Sequence, residues 1–341
     1  MKFHGLSERQ MQPEGTLLLN RGDARKLLSL SDCIDAVENV FRLQGTGKSP
    51  LSGILGVKAP GGALHVKAAL LPCQKNYLVA KLNTNFPENR TQSRLPTIQG
   101  VILICDADNG SPLVILDSIE ITIKRTAAAS AVAAKFLARK DSFVATICGC
   151  GEQGRAQLRT IHLVLSLKKI YAFDLDSAAA RTFATELSRE LKIAIEPVLD
   201  LRSAIKKSDV CVTCTTSKEF FVRKEDVPAG TFIAAVGADD AHKQEIDPAL
   251  MASAKVVADS LEQSCTIGDT QHAIAQGLMS KENVYAELGE IVAGKKLGRT
   301  TVDEIIVFDS TGVAIEDAAA AVAIYDKARA TGIGTYFEFA A

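Results

Sequence analysis

Three glycines at 149, 151 and 154 stand at the spacing G-x-G-x-x-G, directly after the apolar run 143–148 and ahead of a stretch of helical character. Each glycine meets a separate steric demand when a backbone turns around a pyrophosphate. Gly149 permits the tight turn, Gly151 lets the main chain approach the phosphates, and Gly154 allows the next helix to pack closely on the strand. Free N–H groups of that helix, with Glu152 and Gln153 in its first turn, favour an anion. A second apolar run, 170–173, ends in Asp174, twenty residues past Gly154, where such a unit places its ribose-binding carboxylate. A carboxylate accepts from a 2′-OH and repels a 2′-phosphate, and Leu175-Asp176-Ser177 brings no arginine. NAD is therefore expected over NADP, and NADH over NADPH. The competing reading of Asp174 is a cap for the helix that follows.

Further polar residues stand where packing alone would not choose them. Lys81 falls inside the strand-like run 77–83, and Arg125 sits early in an Ala-rich helix, where a cation opposes the helix dipole. Together they make a fork for a carboxylate, Arg125 through bidentate bonds and Lys81 as a point charge; the alternative is two snorkelling surface side chains. Asp239 follows the apolar run 232–237 at its carboxyl end, the edge where parallel sheets bind ligands, so it is a candidate to move a proton on a substrate nitrogen. Asp240 competes for that role, and either acid is alternatively a helix cap. Thr215, Thr216 and Ser217, Gly237, and Ser310 with Thr311 end other strands on that edge, where hydroxyl and backbone contacts to a cofactor are expected.

The elements that must position these residues read in two styles. Strands are expected at 143–148, 170–174, 195–198, 210–215, 232–237, 256–259 and 305–309, with helices such as 178–191 and 201–206 between them. That alternation predicts a doubly wound parallel sheet of the Rossmann type, an α/β fold. The first 120 residues instead show an amphipathic helix at 30–44, a Gly- and Pro-rich region at 45–62, and closely spaced apolar runs at 63–70, 77–82, 100–106 and 112–117. Turn signals such as Asp108-Asn109-Gly110 make these an antiparallel sheet in a separate α+β domain. A helix at 121–138 links the halves, and an Ala-rich helix at 315–330 is expected to return to the first domain. The domains are accordingly 1–125 with 314–341, and 126–313.

Composition narrows the function classes. With 341 residues, 47% of them hydrophobic, and a net charge of −1, the chain reads as an ordinary soluble protein. Lys and Arg (39) balance Asp and Glu (40) without a long basic run, which argues against nucleic acid as a partner. Residues Met1 to Glu8 lack the apolar segment of a signal peptide, and no uncharged apolar stretch suits a membrane span, so a cytoplasmic location is expected. The Cys211/Cys214 pair, read within one strand, would point to opposite faces, and with Cys148 and Cys150 it is read as reduced and structural. No metal site is expected from the cysteine or histidine spacing.

In combination the motifs carry a likeness. The segment from Lys81 to Asn89, then Leu95-Pro96-Thr97-Ile98-Gln99-Gly100, Arg125-Thr126-Ala127-Ala128, the glycine fingerprint, Val236-Gly237-Ala238-Asp239 with Lys243, and Phe308-Asp309-Ser310-Thr311-Gly312 run in the order seen in the ornithine cyclodeaminase/mu-crystallin family, which the chain resembles over about residues 17 to 335. The resemblance implies Lys81 and Arg125 as substrate-carboxylate ligands, Asp239 as acid/base, Lys81 beside it in the catalytic set, Thr97 as a polar residue near substrate, and a homodimer joined through the first domain. Two departures bear on the pocket: Ser52 stands where the family often has Arg, and Lys67 where an apolar residue is common. Lys67 is read as replacing the charge lost at Ser52. Leu82-Asn83-Thr84-Asn85-Phe86-Pro87 departs from the run typical of true ornithine cyclodeaminases. The implied activity is an NADH-dependent reductase of a small cyclic imino acid, Δ1-pyrroline-2-carboxylate or its six-membered homologue. Ornithine cyclodeaminase, alanine dehydrogenase and a non-enzymatic ligand-binding protein are the alternatives.

Overall fold

The computed structural model describes residues 15–47, 52–73 and 75–339. Met1 to Glu8 and the Pro50-Leu51 step lie outside them. Two sheets organise the chain. The first contains β1 (Thr16–Leu19), β2 (Ser52–Ala59), β3 (Gly62–Leu71), β4 (Tyr77–Asn85), β5 (Ile98–Asp106) and β6 (Pro112–Asp117). The second contains β7 (Val144–Cys148), β8 (Lys169–Phe173), β9 (Ala194–Pro197), β10 (Val210–Thr213), β11 (Phe232–Ala235), β12 (Lys255–Ala258), β13 (Ala286–Glu287) and β14 (Ile306–Asp309). The last strand, β15 (Thr335–Phe337), leaves the second sheet behind and pairs with β1.

All neighbours in the second sheet are parallel, in the order β13-β12-β14-β11-β10-β7-β8-β9. From β7 the chain winds outward through β8 and β9, then reverses to β10 on the other side of β7. That reversal opens a crevice at the carboxyl ends of β7 and β10. Val210, Cys211 and Val212, and Phe232 to Ala235, are buried, as expected for strands covered on both faces. The expected parallel sheet is thus present, with β13 added. Cys214 lies beyond β10 rather than within it, its Sγ beside the carbonyls of Cys148 and Gly149, so the opposite-face argument for a Cys211/Cys214 pair does not apply. The eight cysteines are all free thiols. Among the described residues no cluster of three or more His, Cys, Asp or Glu side chains is arranged to hold a metal ion, and no helix is long and apolar enough to cross a membrane.

The first sheet, ordered β15-β1-β6-β5-β4-β3-β2, corrects the expectation in three places. Its pairs are antiparallel except β1 with β6, which run parallel. β2 forms within the region 45–62, where Gly53 and Gly56 masked a strand that pairs residue by residue with β3. β1 and β15 are too short for their alternation to register. Period-2 geometry sends Ala69, Leu71, Tyr77, Val79, Ile102 and Ile104 inward onto the helix Ala314–Thr331.

Between the sheets runs the linker helix, Ile119–Leu137. Alanine dominates it because alanine forms helix without side-chain entropy cost and lets neighbouring backbones come close. Ala127, Ala128, Ala129, Ala131 and Ala133 are fully buried, so this helix touches protein on every side. The return helix, Ala314–Thr331, packs on the linker helix and on β3 and β4. It carries the site's carboxylates back to the first sheet.

Candidate active site

Gly149 has φ of +100°, and a Cβ there would lie 2.8 Å from the Cys214 carbonyl oxygen, so the turn after β7 admits only glycine. At Gly154 a Cβ would lie 1.9 Å from the Gly149 carbonyl oxygen, a main-chain clash that fixes how closely the helix Glu152–His162 approaches the strand. A Cβ at Gly151 meets nothing within 4 Å, and Gly151 caps the helix without a side-chain bond. Its surroundings are open, and the helix N–H groups point into them. These three observations fit a dinucleotide pyrophosphate.

Asp174 follows β8, with Oδ2 accepting from the Cys150 N–H (2.8 Å) and Oδ1 from the Asp176 N–H (2.9 Å). The carboxylate therefore braces the phosphate turn. The cap of the helix Ser177–Leu191 is Asp176, which removes the capping alternative for Asp174. Gln153 Nε2 is buried without a protein partner beside the same turn.

Behind the crevice, buried carboxylates absent from the sequence reading hold its loops. Glu245 accepts from the N–H and hydroxyl of Thr215 (2.7 Å each) through Oε1 and from the Gly237 N–H (2.8 Å) through Oε2. Asp259 accepts from the Thr311 hydroxyl (2.9 Å) and the Gly312 N–H (2.6 Å). The hydroxyl protons of Thr215 and Thr311 are thus spent inside the protein, leaving their oxygens as acceptors only. Thr216 and Ser217 continue the loop after β10, and Ser217 donates its hydroxyl to the Glu219 carbonyl (2.6 Å). Ser310 follows β14 and is buried against Asp259. Burial pushes Glu245 and Asp259 above the usual carboxylate range. Signals for them exist only in three dimensions, because each bonds a loop dozens of residues away.

Between this edge and the first sheet is a cleft of about 270 Å³ whose lining includes Lys67, Lys81, Arg125, Asp239, Asp240, Lys243 and Thr311. Lys67 and Lys81 are directly opposite in the β3/β4 ladder, on the inward face. Lys67 Nζ donates to the Gly312 carbonyl (2.5 Å) and the Thr311 carbonyl (3.4 Å). Burial, with Arg125 nearby, lowers its affinity for a proton. Lys81 is ion-paired with Asp317 Oδ2 at 2.7 Å; burial draws it down to about 8, and Asp317 opposes the fall.

Arg125 is buried in the second turn of the linker helix, clear of the N-terminal N–H groups, so it is not spent against the dipole. Its Nε donates to Asp317 Oδ1 (2.9 Å) and its Nη1 to Glu316 Oε2 (2.8 Å). The Nε side of the guanidinium is therefore taken by protein, while Nη2 and the second Nη1 N–H remain for a ligand. Burial works against the guanidinium charge, but Asp317 and Glu316 outweigh it. Glu316 and Asp317 went unread, although two acids opening an otherwise apolar helix are the same signal that marked Arg125.

Asp239 lies on the opposite wall, half exposed, held by Lys243 Nζ at 2.5 Å. Thr97 lies off the cleft: it is half-buried, and its carbonyl accepts from the Phe86 N–H (2.8 Å), while the next residue, Ile98, lines the cavity. Ser52 begins β2 opposite Ala69.

A glycine turn at the switch point of a parallel sheet, facing a second sheet across a cleft, defines an α/β protein with a Rossmann-type sheet. The chain belongs to the ornithine cyclodeaminase/mu-crystallin family, whose model matches residues 14–332. An alanine dehydrogenase of Archaeoglobus fulgidus is 34% identical over 325 residues, 95% of this chain and 98% of that one. Among solved structures, an archaeal alanine dehydrogenase dimer with bound NAD superposes with a TM-score of 0.91 at 34% identity, covering 95% of this chain and 99% of the other. The Δ1-pyrroline-2-carboxylate reductase of Thermococcus litoralis, in complex with NADH and L-proline, gives 0.89 at 37% identity over 94% and 100% of the two chains.

Proposed function

We propose that this protein is an NADH-dependent reductase of a small cyclic imino acid, converting Δ1-pyrroline-2-carboxylate to L-proline. The observation that carries this reading is the small cleft floored by Lys67, Lys81 and Arg125 at the carboxyl edge of the parallel sheet. A carboxylate received by Lys81 and Arg125 Nη2 fixes the imine carbon relative to that edge. When bound at that edge, a nicotinamide would supply the hydride. Asp239, whose Oδ1 accepts from Lys243 Nζ, manages the proton on the ring nitrogen. Gly149, Gly151 and Gly154, with the Glu152–His162 N-terminus, hold the pyrophosphate, and Asp174 favours NADH over NADPH by disfavouring a 2′-phosphate.

Four cations line or floor the cleft against two acids of its far wall, Asp239, which is paired with Lys243, and Asp240. The excess of cations supports a reductase over a cyclodeaminase, because it disfavours the distal ammonium of ornithine. Alanine dehydrogenase activity uses the same groups on an acyclic imine and is the second reading, supported by the Archaeoglobus relative. The functional unit is proposed to be a homodimer, with domain boundaries near 125/126 and 313/314. Leu55, Val57, Leu78 and Val101 are each more than 40% exposed on the outer face of the first sheet, beside a groove lined by Ala68, Leu70, Ala80 and Leu103. An apolar face of this kind suits a second copy of the chain.

The test is cofactor balance. A reductase consumes NADH stoichiometrically with the five- or six-membered imino acid; pyruvate with ammonia reads out the dehydrogenase, and ammonia release from ornithine with catalytic NAD+ reads out the cyclodeaminase. Oxidation of NADH by neither imino acid overturns the reading. Asp239→Asn is expected to lower kcat by about 10²-fold or more while NADH still binds.

A further inference from the structure

At the floor of the cleft, two carboxylates and two cations that ordinary packing would keep apart are buried together. Asp317 bridges Lys81 (2.7 Å) and Arg125 Nε (2.9 Å), and Glu316 takes Arg125 Nη1 (2.8 Å). All four side chains are 6% exposed or less. The four side chains come from three elements, β4, the linker helix and the return helix, so the cluster pins the first sheet to both long helices. Burying four charges this way gains little stability over an apolar packing, because desolvation offsets the attraction. Its consequence is geometric: with Nε and Nη1 held, Arg125 presents Nη2, and Lys81 presents the N–H groups that Asp317 leaves free.

We propose that Glu316 and Asp317 are positioning residues for substrate binding, which lock Arg125 and Lys81 so that their free N–H groups meet on one substrate carboxylate. The proposal rests on the reading of Lys81 and Arg125 as carboxylate ligands. The two acids do different work. Asp317 touches both cations, whereas Glu316 touches only Arg125. The groups facing Lys81 are Asp317 from the return helix, Arg125 from the linker helix and Lys67 from β3, with His65 of β3, Asp239, Asp240 and Lys243 lining the same cleft; Asp259 lies behind Arg125 and Lys67. Among these, Asp317 is the one in direct ion contact with Lys81. Without its charge the Lys81 ammonium loses its proton at lower pH, and carboxylate binding fails earlier as pH rises.

The experiment compares wild type, Asp317→Asn and Glu316→Gln as full chains. It measures kcat and KM of the imino acid across pH with NADH saturating, L-proline binding to the NADH-loaded protein by calorimetry, and NADH affinity with thermal melting. For Asp317→Asn the expectation is a KM about tenfold or more higher, L-proline binding weakened alike, and the alkaline limb of kcat/KM moved about one pH unit toward acid. For Glu316→Gln, KM rises about fivefold while the limb stays within about 0.3 unit of wild type. A merely structural role would move both variants together and weaken NADH binding with them, which would overturn the proposal. So would KM and L-proline affinity within twofold of wild type in either folded variant. Should Asp317→Asn fail to melt cooperatively, Glu316→Gln decides alone on the same criteria. A wild-type protein that neither turns over an imino acid nor binds L-proline defeats the functional reading itself, and the proposal with it, before any variant is compared.

Discussion

Replacing Gly312 by alanine tests how the two halves of the site are coupled. Gly312 has φ of +77°, and its N–H donates to Asp259 while its carbonyl accepts from Lys67. A Cβ there would stand 2.4 Å from Arg125 Nη1 and 2.9 Å from Nη2. An arginine tip usually swings away from such a contact, but this guanidinium is buried and clamped by Glu316 and Asp317. The left-handed backbone costs an alanine about 1–2 kcal/mol of stability, which lowers Tm by a few degrees at most. Displacing Nη2 removes a charge-assisted bond worth about 1.5–3 kcal/mol, so KM for the imino acid should rise roughly 10- to 150-fold. NADH affinity should change by less than about threefold, since the phosphate turn is built on β7. Steady-state kinetics with each substrate varied, alongside a thermal melt, give all three quantities. A folded Gly312→Ala protein with imino-acid KM within twofold of wild type would refute the argument that Arg125 binds substrate from against this glycine.

Three further perturbations probe other parts of the structure. Gly154→Ala forces main chain against main chain at the phosphate turn, so NADH binding by fluorescence titration should weaken about tenfold or more, and an unchanged Kd would contradict the close helix-strand packing. Leu78→Asp places a charge on the apolar outer face, and sedimentation should show a folded monomer in place of a dimer; persistence of the dimer would move the interface elsewhere. Glu304 is held at about 2 because its bonds from Lys255 and Thr300 outweigh the effect of burial. A depressed carboxylate stabilises above its unfolded value and loses that contribution as pH falls through the folded one. Urea unfolding should therefore show Glu304→Gln weaker than wild type by about 1–2 kcal/mol at pH 7, with the gap shrinking between about pH 4.5 and 2, and a constant gap would exclude the linkage.

Much of this architecture was legible in the residues because it depends on local rules. Alternating apolar runs and helical stretches from 143 to 309 report a parallel sheet directly, and Gly149, Gly151 and Gly154 mark its phosphate turn through steric demands that act over six residues. β2 was hidden by glycines that a strand tolerates when a partner supplies the ladder. β1 and β15 were hidden because their pairing joins chain ends more than 300 residues apart.

The site divides along the same line. By itself the sequence determined the chemical types: a glycine cradle, an acid after β8, a lysine and an arginine in apolar surroundings, and an acid on a loop at the sheet's carboxyl edge. Only the tertiary structure decided which of them meet, what they have left to offer, and that Thr97 stands aside. Arg125 keeps Nη2, and Thr215 and Thr311 keep only acceptor oxygens, because Asp317, Glu316, Glu245 and Asp259 take the rest. The physical reason is that a buried charge or donor must find its partner in space, and the partner that satisfies it carries no mark of that pairing along the chain.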